Sequence, residues 1–161
     1  MLGHGIGRIG CLLVGDDYGI PSNLPWAISL PNGLPVTSIE TFQTHFSFLG
    51  YSREYLQQFL VENSSNIISV HPTQIYEMIL YFAFFFLIMK YNDYLKFFKG
   101  SIFSIYLITG GFSRFVVEFL RTNERYIFNL SSAQYISLIM IISGLILFYF
   151  LKQRKTNSGN D

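Results

Sequence analysis

Residues Tyr126 to Leu151 read YIFNLSSAQYISLIMIISGLILFYFL and hold no charged side chain. A helix needs about 20 mostly apolar residues to cross the hydrocarbon core of a bilayer, and this stretch is long enough. Lys152, Arg154 and Lys155 close it. The remaining TNSGND is polar and reads as a disordered end.

The rest of the composition fits that reading. Of 161 residues, 50% are hydrophobic, 18% aromatic and only 13% charged, whereas soluble domains carry roughly 25% charged residues. The mean hydropathy is +0.35. The net charge of +1 comes without a dense basic patch, so nucleic acid is excluded as a partner. Cys11 is the only cysteine, which rules out an intrachain disulfide and a cysteine-based zinc site. Arg8 lies three residues before it, with no basic segment and no unbroken apolar run upstream. That pattern argues against a secretory signal, so the spans themselves must direct the chain to the membrane.

Two further apolar segments precede the first. Gly100–Arg121 reads GSIFSIYLITGGFSRFVVEFLR and is interrupted by Arg114 and Glu118. His71–Met89 reads HPTQIYEMILYFAFFFLIM, polar at its start and purely apolar from Met78. Pro72 suits a first helical turn, which leaves His71 extended just outside it. Residues 1–15 are apolar but too short to span, and read as a helix end. Residues 16–70 are rich in turn signals such as IPSNLPW and LPNGLP and read as an outer loop or small cap. Within them, residues 51–62 suggest a short amphipathic helix.

The expected fold is all-α: one multi-span membrane domain over residues 1–161, with about three transmembrane helices at 71–89, 100–121 and 130–151. Basic residues orient it. Lys90, Lys96 and Lys99 between the first two spans, and the basic residues of the 152–161 tail, fall on one side, assigned to the cytoplasm. Residues 15–70 and the turn after Arg121 then lie outside.

Ionisable side chains inside spans carry the chemistry. Arg114, Glu118 and Arg121 are spaced i, i+4 and i+7, within about 60° on one helical face. A charge at mid-bilayer costs roughly 2.5–3.5 kcal/mol, so that face should look into protein or a wet cavity. One reading is a structural Arg114–Glu118 ion pair, with Arg121 snorkelling to the surface. The other is an anion site, since guanidiniums recognise phosphate oxygens bidentately. His71, Gln74 and Glu77 form a polar set at the lip of their span, able to polarise or deprotonate a group there; His71 is alternatively a cap. The opening stretch HGIGRIGCLLVGDDYG, His4–Gly19, sets Arg8 among five glycines, six with Gly3 just before it, and glycines permit close backbone approach. Asp16 and Asp17 follow; adjacent carboxylates alone are weak evidence for a metal, and none is assigned. Three arginines and a histidine converging on the outer half of a bundle suit an anionic lipid head group.

Four motifs in order carry a resemblance: GRIGCLLVGDDYG followed by PSNLPW, then VHPTQIYE, GGFSRFVVEFLR and SSAQYISLIMIISGLILF. Together they resemble the prolipoprotein diacylglyceryl transferase family. The resemblance covers most of the chain except residues 38–69 and the tail. It implies a bacterial inner-membrane enzyme that moves the diacylglyceryl group of phosphatidylglycerol onto the lipobox cysteine thiol of a prolipoprotein. By resemblance Arg8 matches the signature arginine, Asp16 its acidic residue, and His71 the histidine of the second motif. Arg114, Glu118 and Arg121 match the charged face of the penultimate helix. Arg8, Arg114 and Arg121 are thereby assigned to the lipid phosphate, Glu118 to orienting them, and His71 or Asp16 to taking the thiol proton. No cofactor is implied. The expected partners are phosphatidylglycerol, the signal peptides of prolipoproteins and the membrane.

Two departures from the family pattern stand out. Cys11 replaces an asparagine and Asp16 a glutamate, as in a divergent GC…GDDYG branch. The chain also matches only the second half of a seven-span family, without its His-Gly-Gly motif. The alternative expectation is therefore a non-catalytic anionic-lipid-binding module or an inactive remnant that needs a separately encoded N-terminal half.

Overall fold

The computed structural model describes residues 1–91 and 100–158. All regular structure among them is helical. The helices are α1 (Leu2–Val14), α2 (Ile39–Thr44), α3 (Arg53–Gln57), α4 (Thr73–Lys90), α5 (Ser101–Glu118) and α6 (Ser132–Ser158), with single 3-10 turns at Ser47–Leu49 and Ile127–Asn129. Only isolated bridges occur in place of strands among the described residues. The 51–62 segment forms one short helix, α3. The C-terminal segment continues α6 as far as Ser158, where a disordered end was expected from Thr156.

Among the described residues, two segments are long and apolar enough to cross a membrane, Thr73–Lys90 and Ser132–Arg154. Helix α5 has 18 residues, as many as α4, but Arg114 and Glu118 lower its apolarity, so the expected count of three is met only in part. The helix also stops at Glu118, short of Arg121. The loop assigned to the cytoplasm includes residues 92–99, which lie outside the described residues.

The bundle is built in sequence order, with α1 against α4, α4 against α5, and α5 against α6. The last pair is closest. A Cβ at Gly111 would sit 2.8 Å from the Ser137 carbonyl oxygen, and one at Gly144 would sit 3.0 Å from that of Ser104. Buried Ser104, Ser113 and Ser137 complete the seam. Their hydroxyls bond carbonyls of their own helices one turn back. Small residues let two backbones approach where no water drives association.

Residues 16–70 are a folded cap. Its core is Tyr18, Ile39, Phe42, Leu56, Phe59, Ile68 and Val70. Short helices start from serine caps: Ser38 accepts from Thr41 N–H and Ser52 from Tyr55 N–H, each satisfying one open donor. Antiparallel bridges Pro21↔Val70, Ile28↔Val70, Ser38↔Ile67 and Leu60↔Ile68 tie the ends together.

The cap is joined to one end of the bundle. Gly15 closes α1 at φ 75, and a Cβ there would meet Gly33 Cα at 2.6 Å. Gly19 N–H donates to the His71 carbonyl and Ile20 N–H to that of Leu120, both at 2.9 Å. At the opposite end Gly100 packs against Leu151. The start of α5 and the late turns of α6 therefore share the end away from the cap.

Candidate functional site: an arginine–carboxylate cluster under the cap

Where α1, α4, α5 and the cap meet, two arginines and two carboxylates close a ring. Arg8 comes from α1. Its Nε pairs with Glu77 Oε2 of α4, and its Nη1 donates to Asp17 Oδ2 at 2.8 Å. Arg121 pairs through Nη2 with Asp17 Oδ1, and its Nη1 lies 3.9 Å from Glu77 Oε1. Asp17 and Glu77 therefore each face both guanidiniums. The Glu77 side chain is 3% exposed and that of Asp17 is 38%, so the ring runs from the interior to the surface.

Local structure explains Asp17. It sits at φ 57, a left-handed conformation that aspartate tolerates better than most residues. Thr73 Oγ1 donates to its carbonyl at 2.6 Å, and the side chain of buried Gln74 donates to the carbonyl of Asp16. The first turn of α4 thus pins the GDD turn.

Glu118 is held differently from expectation. Asn123 Nδ2 and Ser131 Oγ each donate to its Oε1 at 2.6 Å, and its Oε2 lies 3.9 Å from Arg121 Nε. It makes no pair with Arg114. Because α5 ends at Glu118, the chain turns back and Arg121 reaches the cluster from a non-helical segment bridged to Gly19. The expected one-face arrangement at i, i+4 and i+7 is corrected accordingly.

Arg114 is the exception among the arginines assigned to the site. It is half-buried, and it makes no hydrogen bond or ion pair among the described residues. Its charge acts on His4, Glu77 and Tyr81, and His4 and Arg8 line a groove of about 400 Å³ with Gly3, Gly7 and Cys11.

The structure places the remaining residues as follows. His71 lies just before α4, and burial lowers its pKa below the ordinary 6.5. Its Nδ1 is 3.2 Å from the Tyr76 hydroxyl, which also accepts from Trp26 Nε1–H at 2.8 Å. No hydrogen bond or ion pair joins the His71 ring to the arginines among the described residues. Asp16 has a buried carboxylate oxygen, Oδ1, with no hydrogen-bond partner. Ligand atoms of Cys11, Asp16 and Asp17 lie within 4.8 Å of one another. Both Asp17 oxygens, however, are taken by guanidiniums that would repel a cation.

Sequence reading placed Glu77 in the polar set at the lip of its span without joining it to the arginines, and did not select Asp17 for the site. Glu77 carried a signal, because a lone carboxylate in an apolar helix needs a cationic partner. Asp17 carried none that separates it from Asp16. Only the backbone turn decides which of the two faces the arginines.

Helices apolar on their outer faces, with ionisable side chains gathered under a cap at one end, define the class as a helical membrane protein with a charged internal site. The chain belongs to the prolipoprotein diacylglyceryl transferase family, whose sequence profile matches residues 1–150. It is 34% identical over 146 residues to the phosphatidylglycerol–prolipoprotein diacylglyceryl transferase of Finegoldia magna, covering 91% of this chain and 45% of that protein. It is also 34% identical over 155 residues to the protein of the same name from Clostridium tetani, covering 96% and 51%. The Prochlorococcus marinus strain MIT 9215 counterpart is 31% identical over 173 residues, with coverage of 99% and 50%. The chain spans about half the length of the curated relatives it matches. No solved structure matches it.

Proposed function

We propose that the chain takes part in transferring the diacylglyceryl group of phosphatidylglycerol to the cysteine thiol of a prolipoprotein in the bacterial inner membrane. The observation that carries this is Arg114: a half-buried guanidinium with no ion pair among the described residues, whose charge acts on His4 in the wall of the groove that Arg8 also lines. Unspent donors in a sheltered site suit a phosphate.

In the reaction the thiolate sulfur forms a bond to the glycerol carbon, and the bond from that carbon to the phosphate oxygen breaks. Glycerol phosphate leaves with the bonding pair. Negative charge therefore grows on phosphate, where fixed guanidiniums are most effective. Arg114 and Arg8 hold the phosphate. Arg121, tied to Asp17 and close to Glu77 and Glu118, keeps the carboxylates in place. A free thiol has a pKa near 8.5 and must lose its proton to react. Asp16 is the acceptor, since its buried Oδ1 has an open lone pair. The membrane arrangement follows the sequence reading: three spans, the cap outside, and the C-terminus with the 90–99 segment in the cytoplasm.

The test is thiol-dependent release of glycerol phosphate from phosphatidylglycerol vesicles, with a lipobox-cysteine peptide as acceptor. The chain is assayed alone and co-expressed with the N-terminal half of the C. tetani relative. Release in either arm that requires the cysteine supports transfer. Lipid binding without release in both arms identifies a binding module.

A further inference from the structure

The chain enters α4 through His71 and Pro72, and the first turn of the helix brings the Tyr76 hydroxyl against the histidine. Pro72 is the N-cap and His71 lies outside the helix, with its carbonyl accepting from Thr73 N–H at 2.9 Å. Tyr76 falls one turn into α4, so its hydroxyl returns to the His71 ring, 3.2 Å from Nδ1. From the cap, Trp26 extends its indole N–H to the same hydroxyl at 2.8 Å.

We propose that Tyr76 and Trp26 are positioning residues that hold His71 as its Nε2–H tautomer, making it a hydrogen-bond donor to an acceptor oxygen and not the base of the reaction. The direction of the relay follows from its far end. An indole N–H only donates, so the Tyr76 oxygen is an acceptor toward Trp26. A phenol oxygen is a poor second acceptor because part of its lone-pair density is delocalised into the ring. Its own proton is best used toward the His71 nitrogen within reach, Nδ1. An imidazole that accepts at Nδ1 carries its proton on Nε2. The neutral ring then has no free lone pair for a thiol proton, and it offers one N–H. That donor suits an anionic or carbonyl oxygen of a lipid head group; this second part rests on the function proposed above.

The test is nitrogen NMR on the full chain labelled at histidine nitrogen, in detergent near pH 8, where a histidine of ordinary or lowered pKa is neutral. The spectrum of a His71→Gln variant assigns the His71 signals among the three histidines. The expected spectrum has an unprotonated Nδ1 and a protonated Nε2 for His71. In Tyr76→Phe the two signals move toward each other as the tautomers mix, and Trp26→Phe gives a smaller shift of the same sign. A protonated Nδ1 in the wild type, or no change in Tyr76→Phe, overturns the positioning role. Adding phosphatidylglycerol should move the Nε2 signal and leave Nδ1 in place. If Nε2 does not move while lipid binding is detected independently, the donor role is overturned. The tautomer result is read without lipid and without turnover, so it stands apart from the fate of the proposed transfer.

Discussion

In the cap the closed side chains include an apolar cluster, Tyr18, Phe42, Leu56, Ile68 and Val70, beside small polar Ser22, Thr37, Ser38 and Thr41, whereas in the helices polar Thr73, Gln74, Glu77, Ser104, Ser113, Glu118 and Ser137 outnumber apolar Tyr81 and Val117. The cap opens Leu24, Trp26, Leu34 and Phe48 to its surroundings, but open apolar side chains are more numerous on the helices. Helices α4 to α6 expose Ile79, Phe86, Phe112, Ile139, Ile142 and Leu145. The cap is organised as water organises a domain, with apolar groups removed from it. The helices are organised as lipid requires, with polar groups turned inward and satisfied there. One short chain thus folds against two solvents, and the arginine cluster sits on the seam between them.

The comparison breaks most sharply in the cap. Phe42→Ala removes a ring that is 1% exposed and should cost about 3–5 kcal/mol. Trp26 is the only tryptophan, so its fluorescence during urea titration reports the loss. The same chemistry on the lipid side is the control. Ile139 is 64% exposed, and Ile139→Ala should change stability by no more than about 0.5 kcal/mol. A comparable loss at both positions would mean that Ile139 is buried against protein.

At the seam, Glu77→Leu leaves Arg8 and Arg121 short of a partner. Removing one member of a buried ion pair costs about 3–5 kcal/mol, and part of that appears as weakened attachment of the cap. Faster proteolysis of residues 16–70 with α4 still in the membrane is the expected outcome; wild-type proteolysis would count against the ring.

Inside the bundle the effect is smaller. Gly111→Val puts a side chain where a Cβ already meets a carbonyl oxygen at 2.8 Å. Overpacking of this kind costs about 1–3 kcal/mol. Thermal unfolding in detergent should register it with the cap's urea response unchanged.

The smallest effect is the pH response of His71. Burial lowers its pKa from 6.5, so the folded state favours the neutral ring. Its contribution is complete above that value and is lost as pH falls through the lowered folded-state pKa. Urea midpoints read from Trp26 should therefore drop more steeply on acidification in the wild type than in His71→Gln. Equal slopes would place the ring in water.

These regions were unequally legible in the sequence. A bilayer demands long uncharged runs, so α4 and α6 announced themselves, and the glycines and serines of the α5–α6 seam fit that pattern. The cap was legible only in outline. α3 lies inside the amphipathic 51–62 segment, but α2 has only six residues, too few for periodicity to register, and the core is closed by bridges between distant residues such as Pro21 and Val70. At the site, the arginines were legible because charge is costly in an apolar segment. Their partners were not, because helical spacing pointed to Glu118 for Arg114, whereas the helix ends at Glu118 and Asn123 and Ser131, beyond it, donate to that carboxylate. The choice of Asp17 over Asp16 depends on one left-handed backbone angle.

The central claim is that Arg114 keeps its guanidinium free for a lipid phosphate. The direct measurement is glycerol phosphate release by Arg114→Ala and Arg114→Lys, under the conditions in which the wild-type chain releases it. Removing one preorganised donor from developing charge costs roughly 10²–10³-fold in rate. The account predicts at least that loss for Arg114→Ala, with Arg114→Lys between it and wild type, and with both variants still in the membrane and the cap intact by Trp26 fluorescence. Near-normal release by Arg114→Ala would contradict it.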